Sequence, residues 1–500
     1  MSIKKSFLFI VTLAYCSISF AQGHHIKLKI KHLDDSVVYL ARYYGDNKYI
    51  KDTIQVNGKE EFSIKGEKEL PCGIYLIVRE KRNSYFEFIV NNQNFTIISD
   101  TTDFINKTSF IDSPENEQLY DYFKYAGKLG KRAAAIQTEL KAMEPKEGEE
   151  KENAKNKNPK ENAKKNKLTK ELSQLNSDVV KFKEDFMVKN PTNPMTVVFG
   201  MQKEIVFPDS ILSDTSSSAE RNKYQYYLKH YWDYTNFKST CVLRTPVFHL
   251  KLQKFFDKYV PQHYDSTIVY IENLIQKTRG NDEIFKYVVN YVTFKWESGK
   301  EKRMCWDKVF HHMATNYYMK GECTWTDSVQ LAKIESRAKD LKHVLCGNNP
   351  INLHMKYYPK PGLYDTTGTL QELYKINADY LIMWFWDSDC GHCKKQTPKL
   401  WDLYNKYKEQ GVSIEVYAIN VEQESEGYKK YLAENNYTWI NVQDTGNFSA
   451  FRKYYDIYST PVAYILNKER KLIGKRLDPE AMDTFLEQYI KEEKEVKVVK

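Results

Sequence analysis

Tyr380-Leu381-Ile382-Met383-Trp384-Phe385-Trp386 runs straight into Asp387-Ser388-Asp389-Cys390-Gly391-His392-Cys393-Lys394. Seven consecutive apolar residues without alternation fit a strand covered on both faces, as in the middle of a parallel sheet. The residues after Cys393 have helical composition, with Pro398 inside the stretch. Strand, Cys-x-x-Cys, helix is an arrangement that activates thiols. A cysteine at a helix N-terminus faces unpaired backbone N–H groups and the positive end of the helix dipole, and both favour the thiolate. Two intervening residues let the second sulfur reach the first and break a mixed disulfide. Cys390 and Cys393 are therefore the candidate catalytic pair. Cysteines at this spacing also bind zinc or form inert disulfides, but no second Cys-x-x-Cys and no His-x-x-His accompanies this one.

Further residues fall into register around the pair. Trp386 stands four residues before Cys390, and Pro398 eight after it. Thr460-Pro461 immediately precedes a second apolar run, Val462-Ala463-Tyr464-Ile465-Leu466, and Lys468-Glu469-Arg470-Lys471 reads as the hairpin turn beyond it. On these residues the stretch from about Asn348 to Ile490 resembles the thioredoxin superfamily, and most of all its TlpA/ResA-type branch of envelope thiol–disulfide oxidoreductases. A segment from about Glu422 to Phe451, helical in pattern, matches an insertion of that branch. The resemblance implies an α/β thioredoxin fold and disulfide exchange with exported protein substrates. It also implies a cis Thr460–Pro461 that binds the substrate backbone and keeps metals from the thiolates, with no metal and no cofactor beyond the redox-active Cys390–Cys393 disulfide. Electrons would come from an envelope donor, in cytochrome c maturation or general upkeep of envelope thiols.

Two departures bear on the chemistry. Gly391-His392 between the cysteines resembles the disulfide isomerases, and an imidazole beside the thiolate would stabilise the reduced form and make the disulfide more oxidising. Gly391, His392 and Trp386 are thus the residues expected to tune the site. Trp384 stands where thioredoxins keep a buried carboxylate, so Asp387, Asp389, Glu415 or water would have to accept the proton of Cys393. Reductase and oxidase or isomerase directions both remain open. So does a reading from another class, a carbohydrate- or protein-binding envelope module with a vestigial thioredoxin domain.

Upstream, Ile26 to about Ile111 alternates in short strand-like runs: Ile26, Leu28 and Ile30, then Val37 to Leu40, Phe62 to Ile64, Ile74 to Val78, Phe86 to Val90 and Phe95 to Ile98. Asn57-Gly58 and Asn91-Asn92 supply turns, and the spacing predicts an antiparallel β-sandwich. Leu119, Tyr122, Ala126, Leu129, Ala133, Ile136, Leu140 and Met143 then step by three and four, as do Leu168, Leu172, Leu175, Val179, Phe182 and Phe186. Two such seams predict an antiparallel helical hairpin. Residues 144–167, almost all Lys, Glu, Asn, Ala and Gly, bury nothing and predict a disordered tip. From Asn190 to Leu345 the pattern is helical and aromatic, with Ile268 to Val292 and Val329 to Leu345 as amphipathic helices. His311-His312, between Cys305 and Cys323, matches no zinc spacing and is assigned to packing. The expected organisation is a leader at 1–21, a β-sandwich at 22–112, a helical domain at 113–345 and a thioredoxin domain at 346–492.

Five hundred residues exceed one compact core, in keeping with that division. The net charge of +9 is small for the length, and much of the lysine lies beside glutamate, which argues against nucleic-acid binding. Lys4-Lys5, the apolar stretch from Phe7 to Ile18 and Ser19-Phe20-Ala21 read as a signal peptide cleaved after Ala21. That stretch is too short to span a bilayer, and Tyr15 before Cys16 argues against a lipoprotein leader, so membrane association is not required. Export places the protein in the periplasm or envelope and permits disulfides. Cleavage leaves seven cysteines, hence at least one free thiol, and the sequence does not choose partners among Cys305, Cys323 and Cys346.

Overall fold

The computed structural model describes residues 23–80, 84–143, 159–296, 304–358, 369–422 and 426–498. The expected leader lies outside them, as do residues 144–158 of the expected hairpin tip. The rest of that tip, 159–167, belongs to a helix, for which its lysine, alanine and glutamate are well suited. By packing the chain divides into two units, Met1–Val260 with Thr278–Ile284, and Pro261–Lys277 with Phe285–Lys500.

The first unit opens with eight strands: β1 (His24–Lys31), β2 (Val37–Tyr44), β3 (Asn47–Gln55), β4 (Glu61–Gly66), β5 (Gly73–Arg79), β6 (Tyr85–Val90), β7 (Asn94–Asp100) and β8 (Ser109–Ile111). They form two four-stranded sheets, ordered β4-β1-β7-β8 and β3-β2-β5-β6. The predicted runs alternate as expected; Ile26, Leu28 and Ile30 are buried and the lysines between them are not. All pairs are antiparallel except β1 with β7. That pair is parallel because the chain makes its excursion through the second sheet between them. β3 is an edge strand with almost every side chain in solvent, so it carries no apolar alternation to read. At the end of β5 Arg79 is buried with its Nε donating to the buried Asp35 carboxylate at 2.7 Å.

The hairpin follows as α1 (Pro114–Ala142) and α2 (Pro159–Lys189), with Ile136, Leu168 and Phe186 buried. Beyond it come α3 (Pro194–Gln202), α4 (Asp209–Leu212), α5 (Ala219–His230) and α6 (Phe248–Lys254). The predicted helix from Ile268 to Val292 is two helices, α7 (Tyr264–Thr278) and α8 (Asp282–Lys295). Gly280 separates them at φ +92°, a conformation side-chain-bearing residues rarely adopt. α9 (Asp307–Met313) and α10 (Ser328–Leu341) complete the helical stretch.

In the second unit a seven-stranded sheet is ordered β10-β9-β13-β12-β11-β14-β15. Its strands are β9 (His354–Tyr358), β10 (Leu370–Glu372), β11 (Tyr380–Trp386), β12 (Ile414–Asn420), β13 (Ile440–Gln443), β14 (Val462–Leu466) and β15 (Leu472–Lys475). β11 lies between parallel β12 and antiparallel β14, and all seven of its residues are buried, as the apolar run requires. Its helices are α11 (Gly391–Glu409), α12 (Glu426–Asn435), α13 (Phe451–Tyr454) and α14 (Pro479–Val498). Ile382, Trp384 and Trp386 share one core with Leu400 and Leu403 of α11, Tyr428 of α12 and Leu486 of α14. The segment 422–451 is not purely helical, since it also carries β13. Four residues are too few to show a period of two.

Two disulfides link distant residues within a unit, Cys72–Cys241 and Cys305–Cys346. Among the described residues, no helix is long and apolar enough to cross a membrane.

Candidate active site

Cys390 is the N-cap of α11, as the strand–turn–helix order requires, and its Sγ accepts a hydrogen bond from the Cys393 N–H at 3.3 Å. The turn that delivers it is tied by the Cys390 N–H donating to the Asp387 carbonyl at 3.2 Å, and by Lys394 N–H to the Cys390 carbonyl at 3.0 Å. Across from the helix, the peptide bond Thr460–Pro461 is cis. The Thr460 carbonyl accepts from the Cys390 thiol at 3.6 Å. Cys390 and Cys393 are both free thiols here. They differ in access: Cys390 is partly exposed, whereas Cys393, one helical turn inside, is buried.

Electrostatics separates the two further. Burial acts to raise the Cys390 thiol, but the hydrogen bonds from Cys393, from the Thr460 side chain and from the His392 backbone N–H outweigh it and hold the thiol below its ordinary value. Burial pushes Cys393 far up, and the adjoining Cys390 sulfur adds to the rise. The arrangement pairs an accessible sulfur that ionises readily with a covered one that holds its proton. Cys323 is a third free thiol, buried and pushed up to about 12 by that burial.

The remaining sequence-derived residues fall in different places. His392 is exposed, and its side chain lines a cavity of about 300 Å³ with Trp384, Gln396, Ser459 and Pro461. What reaches the Cys390 sulfur from His392 is its backbone N–H. Gly391 is the first helical residue, with open space where a Cβ would stand. Trp386 is fully buried beneath the turn, against Tyr428 and Tyr431, with ring centroids 5.8 and 5.5 Å away. Trp384 donates from Nε1 to the Thr397 hydroxyl at 3.2 Å, so the pair fills the position where a carboxylate was sought.

Glu415 is excluded as the proton acceptor for Cys393. It pairs with Leu381 at the far end of β11, five residues before Trp386 and so about 17 Å along the strand. Its carboxylate accepts from Lys408 and Tyr404 there, each at 3.4 Å. Asp389 points to solvent near Lys394. Asp387 opens the turn three residues before Cys390; its backbone N–H reaches the Cys393 sulfur, and its Oδ1 accepts from the Asp389 N–H at 2.8 Å.

Sequence reasoning missed Gln396. Its Oε1 is buried with no hydrogen-bond partner among the described residues, at the cavity beside Pro461. It lies three residues after Cys393, so helical spacing alone placed it on the cysteine's side of α11. Among the described residues no group of three or more His, Cys, Asp or Glu side chains is placed to hold a metal ion. His312 instead pairs through Nε2 with Glu272 at 2.7 Å.

Residues 377–472 match the family model described as thioredoxin-like, which takes in both cysteines and the cis-proline. Residues 24–119 and 152–343 match two models each described as a domain of unknown function. The chain is 25% identical over 160 residues to the thiol-disulfide oxidoreductase ResA of Bacillus thuringiensis subsp. konkukian, covering 30% of this chain and 90% of that protein. It is 24% identical over 140 residues to nucleoredoxin of Xenopus laevis, covering 27% of this chain and 34% of that one. Among solved structures, a domain of a possible thiol-disulfide isomerase from Cytophaga hutchinsonii is 42% identical, covered to 96% by 30% of this chain, with a TM-score of 0.27. A thioredoxin-like protein from Bacteroides caccae is 19% identical, covered to 97% by 57% of this chain, with a TM-score of 0.41.

Proposed function

We propose, on the premise that this chain is a TlpA/ResA-type thiol–disulfide oxidoreductase of the thioredoxin superfamily with additional N-terminal domains, that Cys390 and Cys393 exchange disulfides with exported protein substrates. The observation that carries the reading is the position of Cys390, capping α11 opposite the cis Thr460–Pro461 bond with Cys393 covered behind it. The Cys390 thiolate attacks one sulfur of a substrate disulfide. A Cys390–substrate bond forms and the other substrate sulfur leaves as a thiolate. Cys393 then loses its proton, attacks the Cys390 sulfur and releases the second substrate thiol, which leaves Cys390–Cys393 oxidised and the substrate reduced by two electrons. A dithiol donor of the envelope returns the pair to the reduced state, or the same steps in reverse oxidise a substrate.

The backbone of Thr460 and Pro461 is assigned to the extended substrate segment. Gly391, His392 and Trp386 are assigned to tuning, the first two at the sulfur and Trp386 through the packing beneath the turn. Asp387, or water near it, is assigned to the Cys393 proton. Two disulfides elsewhere in the chain and the leader-like start support an oxidising compartment outside the cytoplasm, the periplasm or envelope. The divisions at 22–112, 113–345 and 346–492 are proposed as functional regions of one exported protein, with the chemistry in the last.

Trapping tests the roles. Cys393→Ser in the full chain accumulates mixed disulfides with protein substrates, because the resolving sulfur is gone, and Cys390→Ser accumulates few. Equal trapping by the two variants overturns the assignment.

A further inference from the structure

A cleft of about 1180 Å³ in the first unit lies far along the chain from the cysteines and has no part in the chemistry above. β6 forms one wall and is the edge of its sheet. At the end of β6 the edge is closed. The buried side-chain amide of Asn116 accepts from the Ile89 N–H and donates to the Ile89 carbonyl, both at 2.7 Å, in place of a neighbouring strand. Tyr120 donates its hydroxyl to the Glu87 carbonyl at 3.0 Å. Since both Ile89 groups face away from β5, strand alternation turns those of Glu87 and Tyr85 the same way. The Glu87 N–H and the Tyr85 N–H and carbonyl therefore face outward at the cleft, with no partner among the described residues.

The rest of the cleft complements these groups. Phe86, Phe104, Tyr120 and Phe123 supply apolar and aromatic surface. Opposite, α1 presents Lys124, Gly127, Lys128 and Lys131 at the spacing of one helix face. None of the three lysines makes an ion pair among the described residues. The other charged residues are already engaged. Arg132 is bound at 2.6 and 2.8 Å by Glu171, Asp103 accepts from Ile105 and Asn106, and the Glu87 carboxylate accepts from the Tyr43 hydroxyl. The unmatched charge is positive.

We infer that this cleft binds an extended polypeptide segment that alternates acidic with aromatic or apolar residues, pairing its backbone with Tyr85 and Glu87 at the β6 edge. Addition to a sheet edge gives affinity through main-chain hydrogen bonds, and selectivity through alternate side chains. Here one set of side chains meets the aromatic floor and the other the lysines of α1. An acyl chain would satisfy the floor but leave the strand's N–H and carbonyl groups dry and unpaired, which is unfavourable. A peptide matches both.

Fluorescence anisotropy on the full chain tests this with a fluorescein-labelled, amidated heptapeptide of alternating glutamate and phenylalanine. A second probe has the same sequence with alternate backbone amides N-methylated, in both registers. The expected result is saturable binding, weakened about tenfold or more by N-methylation in one register. Binding is lost on Gly127→Trp, whose side chain enters open space in the cleft, and on combined Lys124→Glu, Lys128→Glu and Lys131→Glu. Cys390→Ser leaves it unchanged, so the result stands apart from the redox assignment. No binding, equal binding of the methylated probes, indifference to Gly127→Trp, or displacement of the peptide by palmitate with an affinity above the peptide's own overturns it. The methylated probes alter the ligand alone, so the test stands even if a protein variant fails to fold.

Discussion

At Cys390 two opposed influences meet, and their balance sets the reactivity of the site. Burial favours the thiol, while hydrogen bonds from Cys393, the Thr460 side chain and the His392 N–H favour the thiolate and prevail. Only the thiolate is alkylated, so the rate of Cys390 modification by iodoacetamide rises with pH and levels off below the reference midpoint of about 8.5. Cys393, pushed the other way by burial, stays unmodified through that range. Peptide mapping after timed alkylation reads both, and similar rates at the two sulfurs would contradict the asymmetry. His392→Pro removes a backbone donor to the sulfur together with the imidazole, so the Cys390 thiol rises and the disulfide becomes less oxidising. A tenfold change in that equilibrium is about 30 mV, roughly 1.4 kcal/mol, well within reach of a glutathione titration. An unchanged potential would leave His392 without a tuning role. The sulfurs and His392 were legible because they stand at a short fixed spacing from one another, whereas the cis-proline, 71 residues after Cys390, was implied by the family resemblance. Helical spacing put Gln396 on the cysteine's side of α11 but not its place at the cavity, and the Trp384–Thr397 bond depends on which side chains meet across a packed core.

Elements were legible where their burial leaves a regular apolar pattern in the sequence. β11 is buried throughout and reads as an unbroken apolar run; β1 is buried on alternate residues and reads as alternation. β3, exposed on both faces, and β13, four residues long, offer neither signal. The parallel pairing of β1 with β7 lies in topology, which local pattern does not carry. The hairpin seams were visible because α1 and α2 bury a narrow stripe. Ile136 is fully buried in that stripe, and Ile136→Ala is expected to cost about 2–5 kcal/mol. Arg132→Ala, which breaks only a solvent-exposed pair with Glu171, is expected to leave the urea midpoint nearly unmoved. If the two variants shift the midpoint equally, the stripe is not what joins the helices.

For the whole molecule, the cysteines sort by role. Cys72–Cys241 and Cys305–Cys346 close segments with sequence separations of 169 and 41 residues. On a chain-entropy estimate each contributes roughly 4–5 kcal/mol to its unit. The sequence holds eight cysteines, seven of them after the expected leader, and named no partners, since each pairing needs its own unit folded. All four of these cysteines lie outside the Cys-x-x-Cys turn, so Cys305→Ser with Cys346→Ser should lower the unfolding midpoint while insulin reduction at 25 °C persists in the folded fraction. A loss of turnover without loss of stability would instead make that disulfide an electron relay. The central claim is that the chain performs disulfide exchange through Cys390. It is tested most directly by insulin reduction with dithiothreitol as the electron source, comparing the full-length protein with its Cys390→Ser variant. The prediction is that the wild-type chain precipitates insulin well ahead of dithiothreitol alone, and that Cys390→Ser falls back to the dithiothreitol rate. A wild-type chain no faster than dithiothreitol, or a Cys390→Ser variant as fast as wild type, would contradict it.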